Sequence, residues 1–460
     1  MSAFLLRTRR SRLVLAVLSI VFISAFAIFH YHPTFQQELP TWHMRNVKFR
    51  LPKSLQRQQY QQQQPLNPTS RHQLPCSNPT GADDVVYVIK TGATEVYEKL
   101  PVHFNTTLKC PPNSLIFSDF AETLDGHEMQ DALANITSSI QQENPDFDLW
   151  RRLHQNGRAA LDESELSTHD TADPNGGGGN PENNGWRLDK FKNLPMVQKT
   201  FTRYPDKKWY LFTDADTYIV WSNLLTWTAM MDPTQKLYLG SQAVVGDQVF
   251  GHGGSGYILS HAAMAELAAL YSSDQEYFDQ KAADHWAGDA VLAEALEHEL
   301  NITLTWSFPV MQGGDPDVQE FSEYGYDRQL WCYPVVSYHH MKPSTIGSLG
   351  YLKQDWMAMN HSEPLKHKDV FRTWVLPQMN HTMGDWDNLA DEEVEDNAGD
   401  EWDCRAVCED KTECVQYSYR NRRCEISGVP TIRVREGRQE QIGMDDGKDT
   451  PAHEKIGRVL

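Results

Sequence analysis

Basic residues are scarce in this chain of 460 residues, where 42 Lys and Arg stand against 62 Asp and Glu. The formal net charge of −20 argues against general binding to nucleic-acid phosphate backbones, so we expect no nucleic-acid partner. The length allows two or three domains with a sizeable core.

Cysteine is also scarce, and none of the seven cysteines precedes Cys76. Four of them form the cluster Cys404-x3-Cys408-x5-Cys414-x9-Cys424, behind an acidic linker at 385–403. Because Cys404 and Cys408 are four residues apart, they would share one face if the segment is helical, and each could bridge to either of the other two. A zinc site is the alternative.

Three cysteines lie outside this cluster. Cys76 and Cys110 are a further candidate disulfide, around the first predicted strand, which would leave Cys332 over. The sequence does not establish this connectivity.

Long apolar runs are scarce, and residues 13–29 form an uncharged one that is just long enough to span a bilayer. Four arginines in residues 1–12 predict a cytosolic tail, with everything after the span luminal or extracellular. A cleaved signal peptide is the alternative, because Ala25-Phe26-Ala27 resembles a cleavage site. Residues 30–80 are polar and Pro/Gln-rich, which predicts an unfolded stem.

N-glycosylation acceptors support a luminal location. Five Asn-x-Ser/Thr sequences follow the apolar run, at Asn105, Asn135, Asn301, Asn360 and Asn380. We therefore expect a single-pass type II Golgi membrane protein, since a short span suits a thin bilayer.

The strongest chemical signal is the run 207–219, an apolar and aromatic-rich strand that carries Asp214 and Asp216 to its carboxyl end. Mg²⁺ and Mn²⁺ prefer oxygen ligands and often share them with substrate phosphates. The pattern therefore predicts a metal that holds a nucleotide diphosphate. A solvated turn or a helix cap is the alternative for any single Asp-x-Asp.

The order of elements predicts an α/β sheet. A buried strand at 85–90 is followed by a helix-like stretch at 95–108 and by a second strand at 115–118. Residues 162–184 lack periodicity and predict a mobile surface insertion.

The glycines Gly251, Gly253 and Gly256 have the spacing of a dinucleotide-binding motif. The acid that should end a second strand further on is missing, so the motif does not predict a nicotinamide or flavin site. The glycines would instead let the backbone approach a bound sugar, with a plain turn as the alternative.

Several blocks, taken in order, resemble the family 31 glycosyltransferases, specifically the Fringe and core 1 β1,3-galactosyltransferase branch and its fungal relatives. The blocks are residues 185–192, 207–219, 237–240, 253–260 and 334–340. The resemblance covers roughly residues 85–353. It implies an α/β GT-A fold, for which we set bounds of 81–384, a UDP-sugar donor, Mn²⁺ (or Mg²⁺) and inversion at the anomeric carbon.

The resemblance also implies roles for single residues. Asp214 and Asp216 match the metal-binding motif, with Asp216 the direct ligand, and His339 completes the site. The adjacent His340 is the alternative. Asp289, just before a predicted helix, matches the catalytic acid, and a helix cap is its structural alternative.

Asp284 is the runner-up for the catalytic acid. The chain has Gly288 where the family often has a second acid. Further expected contacts are with the nucleotide sugar, from Thr91, Asp119, Lys190 and Asp214, and with the acceptor or sugar, from Gly253, Gly254, Ser255 and Gly256.

The cluster at 404–460 resembles a truncated PAN/apple module, which implies the disulfides Cys404–Cys424 and Cys408–Cys414. The transferase resemblance implies an enzyme that moves galactose from UDP-galactose onto a glycan or glycoprotein, such as an O-linked N-acetylgalactosaminide. A Fringe-like β1,3-N-acetylglucosaminyltransferase is the first alternative. A catalytically inactive membrane-anchored receptor for glycans or proteins is the second.

Overall fold

A computed structural model describes residues 80–166, 183–319, 324–325, 328–358, 363–379, 392–394, 399–411, 414, 416–420, 422–427 and 456–459. The predicted tail (1–12), the predicted anchor (13–29), the stem up to residue 79 and most of the predicted insertion (162–184) lie outside these residues. In the described part, no helix has the length and apolar character needed to cross a membrane.

The strands are β1 (Val85–Lys90), β2 (Ser114–Ser118), β3 (Glu122–Leu124), β4 (His127–Asp131), β5 (Trp209–Asp214), β6 (Tyr218–Ile219), β7 (Tyr238–Gly240), β8 (Gln242–Val245), β9 (Gln248–Gly251), β10 (Tyr257–Ser260), β11 (Leu304–Trp306), β12 (Tyr324–Gly325), β13 (Arg328–Gln329), β14 (Ser337–Tyr338), β15 (Glu392–Glu393), β16 (Gln416–Arg420), β17 (Arg423–Ser427) and β18 (Ile456–Val459). The α-helices are α1 (Val96–Lys99), α2 (Pro101–Phe104), α3 (Ser138–Glu143), α4 (Asp148–Asn156), α5 (Asn184–Asp189), α6 (Asn193–Arg203), α7 (Trp221–Thr228), α8 (His261–Ser273), α9 (Gln275–Asp284), α10 (Gly288–Glu294), α11 (Pro343–Ala358), α12 (His367–Val370), α13 (Leu376–Met379) and α14 (Glu401–Asp410).

An eight-stranded sheet forms the centre of the fold, in the order β11-β7-β10-β5-β1-β2-β4-β3. Strands β5, β1, β2 and β4 are parallel, whereas β10 runs antiparallel to β5. Every residue of β1 is buried, as expected for a central parallel strand that is covered on both faces. The predicted α/β fold class is confirmed.

The parallel strands bring their carboxyl ends to one edge of the sheet. Lys90, the last residue of β1, lies in register with Asp214, the last residue of β5. The loop after β2 begins beside them, because β2 pairs with β1. Ligands of open α/β sheets bind at such an edge.

The predicted helix at 95–108 is two short helices, α1 and α2. The break falls at Pro101, which is the first residue of α2. Proline has no amide hydrogen and is favoured at that position, so it starts a new helix rather than continuing the first.

The C-terminal module has the strand order β15-β17-β16-β18 and the helix α14. It contains the disulfides Cys404–Cys424 and Cys408–Cys414, the pairs that the resemblance implies. This pairing excludes a zinc site built from these four thiolates. Cys110 is also disulfide-bonded, but its predicted partner Cys76 lies outside the described residues.

Part of the predicted linker at 385–403 belongs to this module. Strand β15 lies within the linker and pairs with β17, and α14 begins at Glu401, before the predicted boundary at residue 404. Acidic composition alone did not show that these residues pair with the cysteine-bearing strands.

Candidate active site

The acidic pair lies in a turn between β5 and β6. Asp214 ends β5, and Asp216 follows it by two residues. The buried imidazole of His103 lies behind the turn, with Nε2 2.6 Å from the carbonyl oxygen of Ala215. On the other side, the N–H of Met341 donates to the carbonyl of Asp216 at 2.9 Å.

A short strand pair brings two histidines to this turn. Tyr338 of β14 pairs with Tyr218 of β6, in antiparallel register. The chain after β14 therefore runs back alongside the acidic turn and carries His339 and His340 to Asp216. One ligand atom of each of these three side chains lies within 4.8 Å of the others.

The donor atoms of this trio fit a divalent ion. Oδ1 of Asp216 lies 3.1 Å from Nε2 of His339, in a geometry that makes no hydrogen bond. Both that oxygen and Nδ1 of His339 are buried without a hydrogen-bond partner, which is costly unless something else is bound. Carboxylate oxygen and neutral imidazole nitrogen are both acceptable to Mn²⁺.

Lys99 of α1 keeps Asp216 ionised, a role that the sequence did not indicate. Its Nζ lies 3.1 Å from Oδ2 of Asp216 and 2.8 Å from Oε2 of Glu95. Burial alone would raise the pKa of Asp216, but the charge of Lys99 holds it well below its ordinary value. Oδ1 of Asp216 is therefore a charged ligand oxygen.

Asp214 has a different partner. Its Oδ1 lies 3.2 Å from Nζ of Lys90, and Lys90 also pairs with Asp189. Burial raises the pKa of Asp214 to about 6, even though Lys90 acts to lower it. Asp214 thus lines the site but is not one of the three residues that converge on a common point.

A cleft of about 200 Å³ opens beside these residues and contains Asp214 and Asp289. Asp289 lies in the first turn of α10 rather than just before it, because this helix begins at Gly288. Its Oδ2 accepts the N–H of Gly253 at 2.9 Å, and its Oδ1 accepts the N–H of Ala290 at 3.0 Å. Burial raises its pKa above the ordinary value.

The runner-up acid Asp284 does not line this cleft. It is exposed at the end of α9, where it accepts a hydrogen bond from Gln280 at 3.1 Å.

The glycine-rich turn connects Asp289 with the histidines. Gly253 donates to Asp289, and the next residue, Gly254, packs so tightly on His339 that a Cβ would lie 2.2 Å from its Nε2. Gly256 has a φ of 92° and leads into β10. Because the turn joins two strands, it offers no helix N-terminus to a dinucleotide. Ser255 is buried, and its carbonyl accepts from Ser337 at 2.7 Å.

Gly288 allows α10 to pack closely on the residues before α6. A Cβ at Gly288 would lie 2.4 Å from the backbone oxygen of Lys190 and 2.6 Å from Nδ2 of Asn193. The position that often carries a second acid in the resembling family is therefore too tight for a side chain here.

The three other expected nucleotide contacts lie near the sheet edge. Thr91 and Asp119 are buried, and Lys192 joins them, donating to the Thr91 carbonyl at 2.8 Å and lying 3.2 Å from Oδ2 of Asp119. Lys190 lines the cleft, but its ammonium is held 2.9 Å from both Asp146 and the Ala283 carbonyl.

Comparisons with known proteins give one family match. Residues 160–345 match the family model described as Fringe-like, a range that contains Asp214, Asp216, Asp289 and His339. The match supports a Fringe-like glycosyltransferase in this part of the chain, which is less than half of its length. No curated protein matches the sequence.

Among the solved structures that match is that of a glycosyltransferase involved in the glycosylation of the major capsid of PBCV-1. The identity is 10% and the TM-score 0.25, over 58% of this chain and 98% of that chain. At that TM-score the likeness carries no argument about fold or function.

Proposed function

We propose that this protein is an inverting, metal-dependent β1,3-glycosyltransferase. The donor would be UDP-galactose, and the acceptor the 3-hydroxyl of a glycan, such as an O-linked N-acetylgalactosaminide on a glycoprotein. One observation carries the proposal: the glycine-rich turn has the carboxylate of Asp289 bonded to Gly253, and the adjacent Gly254 packs against His339, which belongs to the trio with Asp216 and His340. The Fringe-like match supports the transferase class.

The trio would hold the ion, and its imidazole nitrogens favour Mn²⁺ over Mg²⁺ because Mg²⁺ prefers oxygen ligands. When bound, the ion supplies Lewis-acid stabilisation of the charge on the leaving diphosphate. Lys99 contributes by keeping Asp216 ionised.

Asp289 would act as the general base. The acceptor hydroxyl attacks the anomeric carbon, the bond from that carbon to the diphosphate oxygen breaks, and the hydroxyl proton passes to Asp289. The N–H groups of Gly253 and Ala290 orient the carboxylate, and burial raises its pKa, which makes it a stronger base than an ordinary aspartate. No covalent intermediate is needed.

The test is a screen of the purified protein for release of UDP. We expect release from UDP-galactose with Mn²⁺, faster with a glycan acceptor and abolished by EDTA. Preference for UDP-N-acetylglucosamine would favour the Fringe-type alternative, which the family match also suits. Binding of UDP without turnover of any UDP-sugar would favour the inactive receptor.

We also propose that residues 13–29 anchor the protein in the Golgi membrane, with the catalytic part luminal. In support, the acceptor asparagines Asn105, Asn135 and Asn301 are all exposed. Glycosidase-sensitive glycans on these residues would agree with the proposal. A mature amino terminus at Ile28 would contradict the uncleaved anchor.

A further inference from the structure

His252 lies between the two halves of the candidate site. It precedes Gly253, whose N–H bonds Asp289, and its ring centroid lies 5.1 Å from that of His339, in an edge-to-face contact. The residue lines the cleft.

Hydrogen bonding fixes the protonation of its ring. The backbone N–H of Ser255 donates to Nδ1 of His252 at 3.3 Å, and Oγ of Ser255 lies 2.8 Å from the same atom. A backbone N–H can only donate, so Nδ1 accepts and carries no proton. The ring is therefore neutral, and its one N–H is on Nε2.

Nε2 of His252 is accessible, on a residue that lines the cleft. Across the described ranges no side chain or backbone group bonds it, and it is not one of the buried polar atoms that lack a partner. Because the other ring nitrogen is occupied by Ser255, this N–H is available to a molecule that the cleft holds.

We propose that Nε2–H of His252 donates a hydrogen bond to a hydroxyl oxygen of the sugar that is transferred. The inference rests on the proposed function. An inverting displacement places that sugar between the base and the leaving diphosphate. His252 lies in the corresponding place, between the proposed base Asp289 and the proposed metal ligand His339. An uncharged N–H donor suits a neutral hydroxyl, whereas the charged diphosphate would be bound by the ion.

The experiment compares His252→Phe, which keeps a ring without a donor, with His252→Gln, whose amide N–H takes the place of Nε2–H. Calorimetry with Mn²⁺ measures the affinities for UDP and for the UDP-sugar that the wild type turns over. We expect unchanged UDP affinity in both variants. UDP-sugar affinity and kcat/KM should fall about two- to tenfold in His252→Phe, the range of one lost neutral hydrogen bond, and recover in His252→Gln. His298→Gln, at an exposed histidine, is the matched control.

Two further measurements need no variant. The ¹⁵N shifts of the ligand-free wild type should show the Nε2–H tautomer of His252. In a series of deoxy UDP-sugars, the one that lacks the partner hydroxyl should lose the same two- to tenfold in the wild type.

Two results would overturn the inference: an unchanged ratio of UDP-sugar to UDP affinity in His252→Phe, or a protonated Nδ1. A wild type that binds UDP-sugars without turnover would instead refute the proposed function, and the tautomer and affinity ratios would still test His252.

Discussion

At the scale of single residues, substitutions of Asp289 and of Asp216 should impair different steps of the reaction. Asp289→Asn removes the proton acceptor but keeps the side-chain shape, so kcat should fall about 10²-fold or more with little change in donor affinity. Asp216→Asn removes the charged ligand oxygen and should weaken Mn²⁺ and UDP binding together. Steady-state kinetics and calorimetry on both variants make the comparison.

Near-normal turnover in Asp289→Asn would move the base role to another acid. Unchanged Mn²⁺ and UDP affinity in Asp216→Asn would be more damaging, since the trio would then be an ordinary buried cluster. Asp284→Asn is the matched control, because that aspartate is exposed and outside the cleft.

Gly288 gives a second prediction at this scale. Alanine normally stabilises a helix by about 1 kcal/mol relative to glycine. At Gly288 the added Cβ would meet backbone at 2.4 Å, so Gly288→Ala should instead destabilise by about 1–3 kcal/mol. Gly347→Ala in α11 is the control, since its Cβ meets its nearest neighbour at 3.7 Å. Urea unfolding that shows Gly288→Ala as stable as Gly347→Ala would contradict this packing.

The sequence indicated residues that belong to a recognisable local pattern. It missed residues whose role depends on an ion pair with a residue distant in the chain. Asp214 and Asp216 stand out because they end an apolar strand. Lys99 and Asp189 do not, because a single lysine or aspartate on a helix is usually solvated. Their partners are distant in sequence, Asp216 for Lys99 and Lys90 for Asp189, and no local pattern records such a pairing.

At the scale of elements, the hairpin of β8 and β9 forms a wall of the cleft together with Trp286. Trp286 is 44% exposed and Val244 53% exposed, and both line the cleft that contains Asp289. Aromatic rings offer sugars a flat apolar face. We therefore predict that this wall binds the acceptor.

Trp286→Ala should raise the KM for the acceptor about tenfold and leave acceptor-independent hydrolysis of the donor unchanged. Trp402→Ala, at the 68% exposed tryptophan of the C-terminal module, should change neither quantity. Equal losses of hydrolysis and transfer in Trp286→Ala would assign the ring to the donor instead. Kinetics with varied acceptor concentration separate the two results.

The C-terminal module should be separable from the chemistry. The Cys404–Cys424 bridge closes a span of 20 residues, so replacing both cysteines by serine should destabilise the module by about 3 kcal/mol. Turnover of the UDP-sugar should stay within about twofold of the wild type. A large loss of turnover, with the rest of the protein folded by circular dichroism, would show that the module completes the active site.

Long buried elements were predictable, and very short ones were not. The apolar runs of β1 and β5 appear in the structure at the predicted places. In contrast, β6 and β14 are two-residue strands that pair across more than a hundred residues, and nothing local marks them. Yet this strand pair is what places His339 and His340 beside Asp216.

At the scale of the whole molecule, buried histidines couple stability to pH. His103 and His367 are fully buried, and burial lowers their pKa values to about 4 and about 3. In the unfolded chain the pKa is about 6.5, so the unfolded state binds more protons below that pH. The stability that depends on neutral histidines is therefore present above pH 6.5 and is lost as the pH falls below it.

Two acids act in the opposite direction. Burial raises the pKa of Asp214 to about 6 and also raises that of Asp289, so the folded state gains stability as the pH falls through those values. At pH 5.5 each histidine costs about 1 kcal/mol relative to pH 7.5, and the two acids offset part of that cost. The net expectation is a modest loss of stability in a mildly acidic compartment.

His367→Gln tests the contribution of one of these histidines to the pH dependence of stability. The imidazole lies 2.7 Å from the Tyr338 hydroxyl and 2.8 Å from the Pro309 carbonyl, so the variant should be less stable at every pH. Its distinguishing effect is on the slope: the free energy of unfolding should change by about 1 kcal/mol less between pH 7.5 and 5.5 than in the wild type. Urea unfolding at the two pH values, followed by tryptophan fluorescence, measures it. Equal slopes would mean that His367 is protonated in the folded protein. A charged imidazole would then have to lie buried against the hydroxyl of Tyr338, the residue of β14 that pairs with Tyr218 beside the acidic turn.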